Sequence, residues 1–239
     1  MLVASPETAQ RIAENWTRVI AEVAEAVQRA GREAGEVLIV GVSKYVDVGL
    51  TAQLFDAGCL SLGENRPQNL WGKADAFAGE RKADWHLIGH LQRNKIRRTL
   101  PYITWLHSLD SLRLATALND EAIAAEVQLK VLLEVNVTQD VTKTGLQVSE
   151  LRQVAEHLVS LPNLELRGLM AMCSHESAPE VARREFAEVR DLRDQLQASF
   201  GTQVTLDQLS MGMSGDFREA IAEGSTMLRI GSVLFEGII

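Results

Sequence analysis

The sequence has little with which to cross-link itself, cross a membrane or grip a nucleic acid. Its 239 residues include two cysteines, Cys59 and Cys173, far apart along the chain. That excludes a disulfide framework, and no C-x-x-C pair offers a metal knuckle. No apolar run approaches the ~20 residues of a membrane-spanning helix. The opening stretch MLVASPETAQRIAENW lacks the apolar segment of a secretory signal. Cations are scarce: 24 Lys plus Arg against 32 Asp plus Glu give a formal charge of −8 and a pI near 5.2. A nucleic-acid binder needs the opposite balance to neutralise phosphates. No Pro/Gly/Ser-rich linker or shift in composition divides the chain. These absences leave one cytoplasmic globular domain spanning residues 1–239, 46% hydrophobic and 23% charged, long enough to bury a large core.

What the sequence does have is rhythm. Ser5 and Pro6 suit the cap and first position of a helix over about 6–30. Ile12, Trp16, Val19, Ile20, Val23 and Val27 follow at helical spacing. The run VLIVGVSK (37–44) is almost continuously apolar and β-branched, as befits a strand covered on both faces. Further strands are expected at 60–65, 85–90, 103–109, 129–137, 164–172, 205–211 and 227–235. The clearest helices between them are 48–57, 111–126, 149–160, 179–200 and 217–224. Strands alternating with helices imply parallel pairing. About eight such units fit an α/β fold of the TIM type, a single (β/α)8 barrel preceded by an N-terminal helix. An open doubly wound sheet is the alternative, but no G-x-G-x-x-G follows the first strand. Nothing helical follows the last strand, so the N-terminal helix is expected to fill that place in the outer ring.

In such a barrel function sits at the C-terminal strand ends. The first strand ends at Lys44. At a closed barrel mouth a lysine can be desolvated enough to act as an amine toward a carbonyl compound. The seventh loop, Gly212-Met213-Ser214-Gly215-Asp216, immediately precedes a helix, and the eighth offers Gly231-Ser232. Small flexible loops of this kind let backbone N–H groups approach a phosphate. A phosphate site beside a Schiff-base lysine suits pyridoxal 5′-phosphate, and also suits an aldolase without cofactor. Arg229, two residues before Gly231, favours the former. An arginine beside a pyridine nitrogen keeps that nitrogen unprotonated and weakens the ring as an electron sink.

Histidine supplies no metal site on this reading. His86 and His90 on one strand would stand about 13 Å apart. His107, His157 and His175 have no partner at ligand spacing. His175 and Cys173 fall at the rim of the sixth strand; Cys173 reads as a buried small residue.

The stretches VGVSK, LGEN, WHLIGHLQRNK, LHSLDS, EVNV with K-x-G beyond it, LRGLMAM, LSMGMSGDF and GSTMLRIG run in order from Val40 to Phe235. Together they resemble the YggS-like (PROSC-like) pyridoxal phosphate homeostasis proteins, whose barrel is similar to the alanine racemase N-terminal domain. The resemblance implies that Lys44 forms the internal aldimine and that Asn65 lies beside the cofactor ring. It implies that Ser214, Gly231 and Ser232 grip the phosphate, with Ser225 and Thr226 contributing, and that Arg229 faces the pyridine nitrogen. Met211 and Met213 would pack the pocket wall. Two departures from the family pattern, Arg66-Pro67 after Gly-Glu-Asn and the ending Phe235-Glu236-Gly237, leave these groups intact.

Racemisation needs an acid/base group on each face of the substrate, and alanine racemases draw the second from a separate domain. This chain is expected to lack that domain. It is therefore read as a monomeric protein that buffers or delivers the cofactor, with transient contact to apoenzymes. The alternative is a weak amino-acid racemase with Tyr45, Cys173 or His175 as second base.

Overall fold

The chain opens on the helix its first residues specify. In a computed structural model, which describes residues 5–79, 81–138, 144–174 and 178–239, α1 runs Pro6–Arg29. The Ser5 hydroxyl accepts from the Thr8 N–H, Pro6 takes the first turn, and Glu7 complements the positive end. Ile12, Trp16, Val19, Val23 and Val27 bury one face.

Strands and helices then alternate. The strands are β1 (Leu38–Val42), β2 (Ser61–Glu64), β3 (Asp84–Leu87), β4 (Trp105–Leu109), β5 (Leu129–Asn136), β6 (Leu146–Gln147), β7 (Leu164–Met170), β8 (Gln208–Ser210) and β9 (Met227–Ile230). The helices are α2 (Val48–Asp56), α3 (Pro67–Phe77), α4 (Ile96–Thr99), α5 (Leu112–Ala124), α6 (Val148–Val159), α7 (Pro179–Phe200) and α8 (Phe217–Ala222). The sheet order β4-β3-β2-β1-β9-β8-β7-β5 closes on itself through β4–β5, with every pairing parallel. The barrel expected from the sequence is therefore present. The two-residue β6 is an addition that pairs with the far end of β5.

Most strands stop earlier than the hydrophobic pattern suggests, β1 at Val42 rather than 44 among them. β3 ends at Leu87, because Gly89 is pressed against the backbone of Asn65: a Cβ there would stand 2.2 Å from the Asn65 carbonyl oxygen. β7 ends at Met170 rather than 172. β9 ends at Ile230, after which Ser232–Phe235 winds into a 3₁₀ turn. This turn, not a longer strand, meets α1: Asn15 Nδ2 donates to Leu234 O (3.3 Å) and Glu236 O (3.1 Å). With α1 also packed on α2 and α8, the N-terminal helix fills the outer ring beyond the last strand.

The core has two layers. Between sheet and helices lies a continuous apolar layer. Inside the barrel, Trp105, Leu132, Met170 and Met227 form a separate small cluster. The pleat decides which residues point inward. A Cβ on Gly41 would meet Cys59 Sγ and Leu54 outside the sheet. Val40, Val42 and the next residue in phase, Lys44, therefore face in.

Candidate functional site

A cleft of about 300 Å³ opens at the C-terminal ends of β1, β8 and β9. That is the small end of the range for ligand pockets, sized for one ring and its substituents. Val42 and Arg229 line it together with Lys44, which is half-buried just past β1. The β8–α8 loop contributes Met213, Ser214 and Gly215, and the end of β9 contributes Gly231 and Ser232. Phe235 and Ile239 complete the wall. Tyr45, 79% exposed, also borders the cleft, and Lys44 Nζ stands 4.9 Å from the centroid of its ring.

The two phosphate-loop candidates touch. The Gly231 N–H donates to Ser214 Oγ at 3.3 Å. A hydroxyl that accepts there keeps its own proton for another acceptor. The Met213 N–H donates to Asp216 Oδ1 at 2.5 Å, and Gly212, at φ 96°, brings the loop close to α8. A Cβ at Gly212 would lie 2.6 Å from the Ala220 Cβ. Burial raises the Asp216 pKa, countered by the Met213 amide and by Arg229.

Arg229 is the buried cation of the site. Its Nη1 donates to Ser210 O (2.6 Å) and Ser210 Oγ (2.7 Å), and its Nη2 to Ala171 O (2.9 Å). All three acceptors are neutral. Burial pulls the guanidinium pKa down to about 10, with Asp216 and Glu134 opposing. A buried guanidinium held by neutral acceptors is poised for an electron-rich ligand atom.

Behind Lys44 lies an ion pair that sequence reasoning missed. Glu64, fully buried at the end of β2, pairs with Lys73 of α3. Lys73 Nζ also donates to Ser43 O (2.7 Å), and the Ser43 hydroxyl donates to Glu64 Oε1 (3.1 Å). Burial lowers the Lys73 pKa, and Glu64 pulls it back up. The pair thereby clamps the peptide that carries Lys44. The signal was faint: a lysine at mid-helix reads as solvent-facing unless its phase is checked against Leu70, Ala74 and Phe77, which are all buried.

The histidines hold a second unforeseen feature. His86 Nδ1 and His107 Nε2 are 2.8 Å apart inside the barrel, and His107 Nδ1 is 2.8 Å from Ser210 Oγ. The two rings sit on adjacent strands, so residue spacing along the chain could not pair them. Among the described residues no cluster of three ligating side chains could hold a metal.

Several expected site residues lie elsewhere. Met211 is fully buried in the layer between sheet and helices, away from the cleft. Ser225 is also fully buried and donates to Met211 O (2.7 Å), stitching β8 to β9. Thr226 precedes β9 at the opposite end of the barrel, where its hydroxyl accepts from the Leu209 N–H (2.8 Å). The strand rise of ~3.3 Å per residue puts it roughly 16 Å from Gly231. These three do not line the cleft, and neither does Asn65, whose backbone packs on Gly89 beyond β2. Cys173 is buried with its thiol toward Ala182 O of α7 (3.7 Å). His175 and Lys143 fall outside the described residues.

Comparison with known proteins agrees with this fold. The alanine racemase N-terminal domain family matches residues 11–237. A pyridoxal phosphate homeostasis protein of Aquifex aeolicus is 37% identical over 222 residues, 93% of this chain and 96% of that protein. The crystal structure of a protein from Bifidobacterium adolescentis superposes with a TM-score of 0.89 at 36% identity, covering 98% of both chains. PipY of Synechococcus elongatus PCC7942, solved with PLP bound, gives 0.81 at 32% identity over 90% of this chain and 99% of that one. A family match over nearly the whole chain, and relatives this similar on the same barrel, lead to one assignment: the chain belongs to the pyridoxal phosphate homeostasis protein family, built on the alanine racemase N-terminal domain barrel.

Proposed function

We propose that this protein binds pyridoxal 5′-phosphate in the cleft and serves its homeostasis, holding the cofactor for storage or transfer rather than for turnover. The observation that carries the reading is the donor set. One cleft brings together an amine (Lys44), a buried guanidinium (Arg229) and the joined Ser214–Gly231 loops. The residues suit the cofactor's three functional groups. Lys44 supplies the nitrogen that holds its aldehyde carbon as a Schiff base, with loss of water. Ser214, Gly231 and Ser232 receive the phosphate. Arg229 opposes the pyridine nitrogen. When bound, the cofactor supplies an electron sink, which an arginine in that position weakens.

The chain's own residues favour retention. The Glu64–Lys73 pair fixes the peptide before Lys44, and Ser210 and Ala171 fix the guanidinium. Of the second bases considered, Tyr45 borders the cleft beside Lys44 but is largely exposed, Cys173 faces α7, and His175 lies outside the described residues.

Titration of the purified chain with pyridoxal phosphate should develop visible absorbance. Borohydride should trap the adduct on Lys44 in a peptide map, and Lys44→Ala should abolish both signals. Trapping on a different lysine, or no uptake, overturns the reading. Turnover of L-amino acids well above free cofactor, lost in Lys44→Ala, would instead establish the racemase alternative.

A further inference from the structure

We propose that His107, backed by His86, is a positioning residue for Arg229. The two rings form the middle of a one-way hydrogen-bond chain through the barrel interior, from Arg229 toward Asp84. This rests on the reading of Arg229 as a cofactor-facing group.

The geometry is continuous. Arg229 Nη1 meets Ser210 Oγ at 2.7 Å, Ser210 Oγ meets His107 Nδ1 at 2.8 Å, and His107 Nε2 meets His86 Nδ1 at 2.8 Å. His86 Nε2 then stands 3.4 Å from Asp84 Oδ2, an ion-pair distance without hydrogen-bond alignment. Ser210, His107 and His86 are all fully buried. His86 stacks on Trp105, ring centroids 6.0 Å apart and planes within 6°, which fixes its plane.

The direction follows from chemistry. A guanidinium only donates, so Ser210 Oγ accepts from Arg229. The buried serine proton then needs an acceptor, and His107 Nδ1 is in reach. His107 is therefore protonated on Nε2, which donates to His86 Nδ1. His86 in turn carries its proton on Nε2, toward Asp84. The reverse polarity would have His107 donate to Ser210 and leave the serine proton with no acceptor among its contacts. Burial holds the His107 pKa well below its usual value, helped by His86 and Arg229, so the ring stays neutral and can accept. The charged groups bordering the chain are Asp84 and Lys130 at one end, and Arg229, Glu134 and Asp216 at the other.

The consequence lies at the cleft. With Ser210 locked as acceptor, the Nη1 edge of Arg229 is committed inward, and the rest of the guanidinium is held at a set angle to the ligand. Nitrogen-15 NMR of the histidine rings in the unliganded protein should show His107 and His86 as neutral Nε2–H tautomers. A proton on Nδ1 of either ring, or a charged His107, overturns the proposal without any variant being made.

A second arm uses pyridoxal phosphate itself. His107→Phe breaks the chain and should weaken binding about tenfold, the scale of one buried hydrogen bond, and should shift the visible band of the loaded protein. His107→Gln keeps an acceptor and a donor in line and should restore the native band, with affinity within about threefold. A native band in His107→Phe, or a His107→Gln band no different from it, refutes positioning through this chain. Correct tautomers in a protein that takes up no cofactor at Lys44 would support the chain while overturning the function proposed for the cleft.

Discussion

Removing the cation behind the lysine should cost this barrel a large share of its stability. In Lys73→Met the stem is replaced by a side chain of similar length without charge. Glu64 would then be a fully buried carboxylate with Ser43 Oγ, at 3.1 Å, for company. Its Oε2 already has no hydrogen-bond partner. Breaking a buried pair on one side costs about 3–5 kcal/mol, because the remaining ion is uncompensated. For a chain of this size each kcal/mol lowers the melting temperature by about 2–4 °C. Thermal unfolding followed by circular dichroism should therefore shift down by roughly 6–20 °C. Glu64→Leu/Lys73→Met removes both charges and should recover more than half of the loss, the shortfall reflecting the Ser43 carbonyl left without its donor. A single variant melting within about 2 °C of the native protein, or a double variant no better than the single, would refute the argument that the pair is electrostatically closed.

Other consequences follow from groups around the cleft. Burial raises the Glu134 pKa, with Asp110 adding to the rise and Thr144 opposing it. A carboxyl with a raised folded-state pKa contributes stability at low pH and loses it as the pH climbs through that value. Glu134→Gln should thus melt higher than the native protein at pH 7, and the gain should vanish as the pH falls below the ordinary carboxylate value. Gly89→Ala drives a Cβ into the Asn65 carbonyl and should lower the urea midpoint by an amount equivalent to about 1–3 kcal/mol. Ser214→Ala removes the hydroxyl that accepts from Gly231. It should weaken uptake of pyridoxal phosphate about tenfold by absorbance titration, with little effect on melting of the unliganded chain.

The barrel was legible because each strand is a compact apolar run and each helix carries its own stripe and breaks. Lys44, Ser214, Arg229, Gly231 and Ser232 were legible because a parallel barrel ties strand ends to function, and all five line the cleft. Ser225 and Thr226 misled for the converse reason. They adjoin Arg229 in sequence but sit at the other end of a strand, and strand length converts a few residues into the full depth of the barrel. His86 with His107, and Glu64 with Lys73, escaped because their partnerships cross between elements. Pairing them requires the register of β3 on β4, where His86 lies opposite Trp105 and two residues from His107. It also requires the rotation of α3 about its axis. Neither quantity is written in local pattern.

The embrace of α1 by the last turn has a temporal side. Asn15 is bonded to the carbonyls of Leu234 and Glu236, 219 and 221 positions downstream. As the chain emerges during synthesis, α1 comes well before the turn that completes its seat. α2 can cover part of its apolar stripe early, but the part that meets α8 and the turn after β9 stays open until those elements have been made. Such distant closure slows assembly and leaves a greasy surface open to premature association. The helix's polar outer face, with Glu7, Arg11, Glu14, Glu25 and Arg29 turned to water, opposes such association by keeping charge beside the apolar stripe.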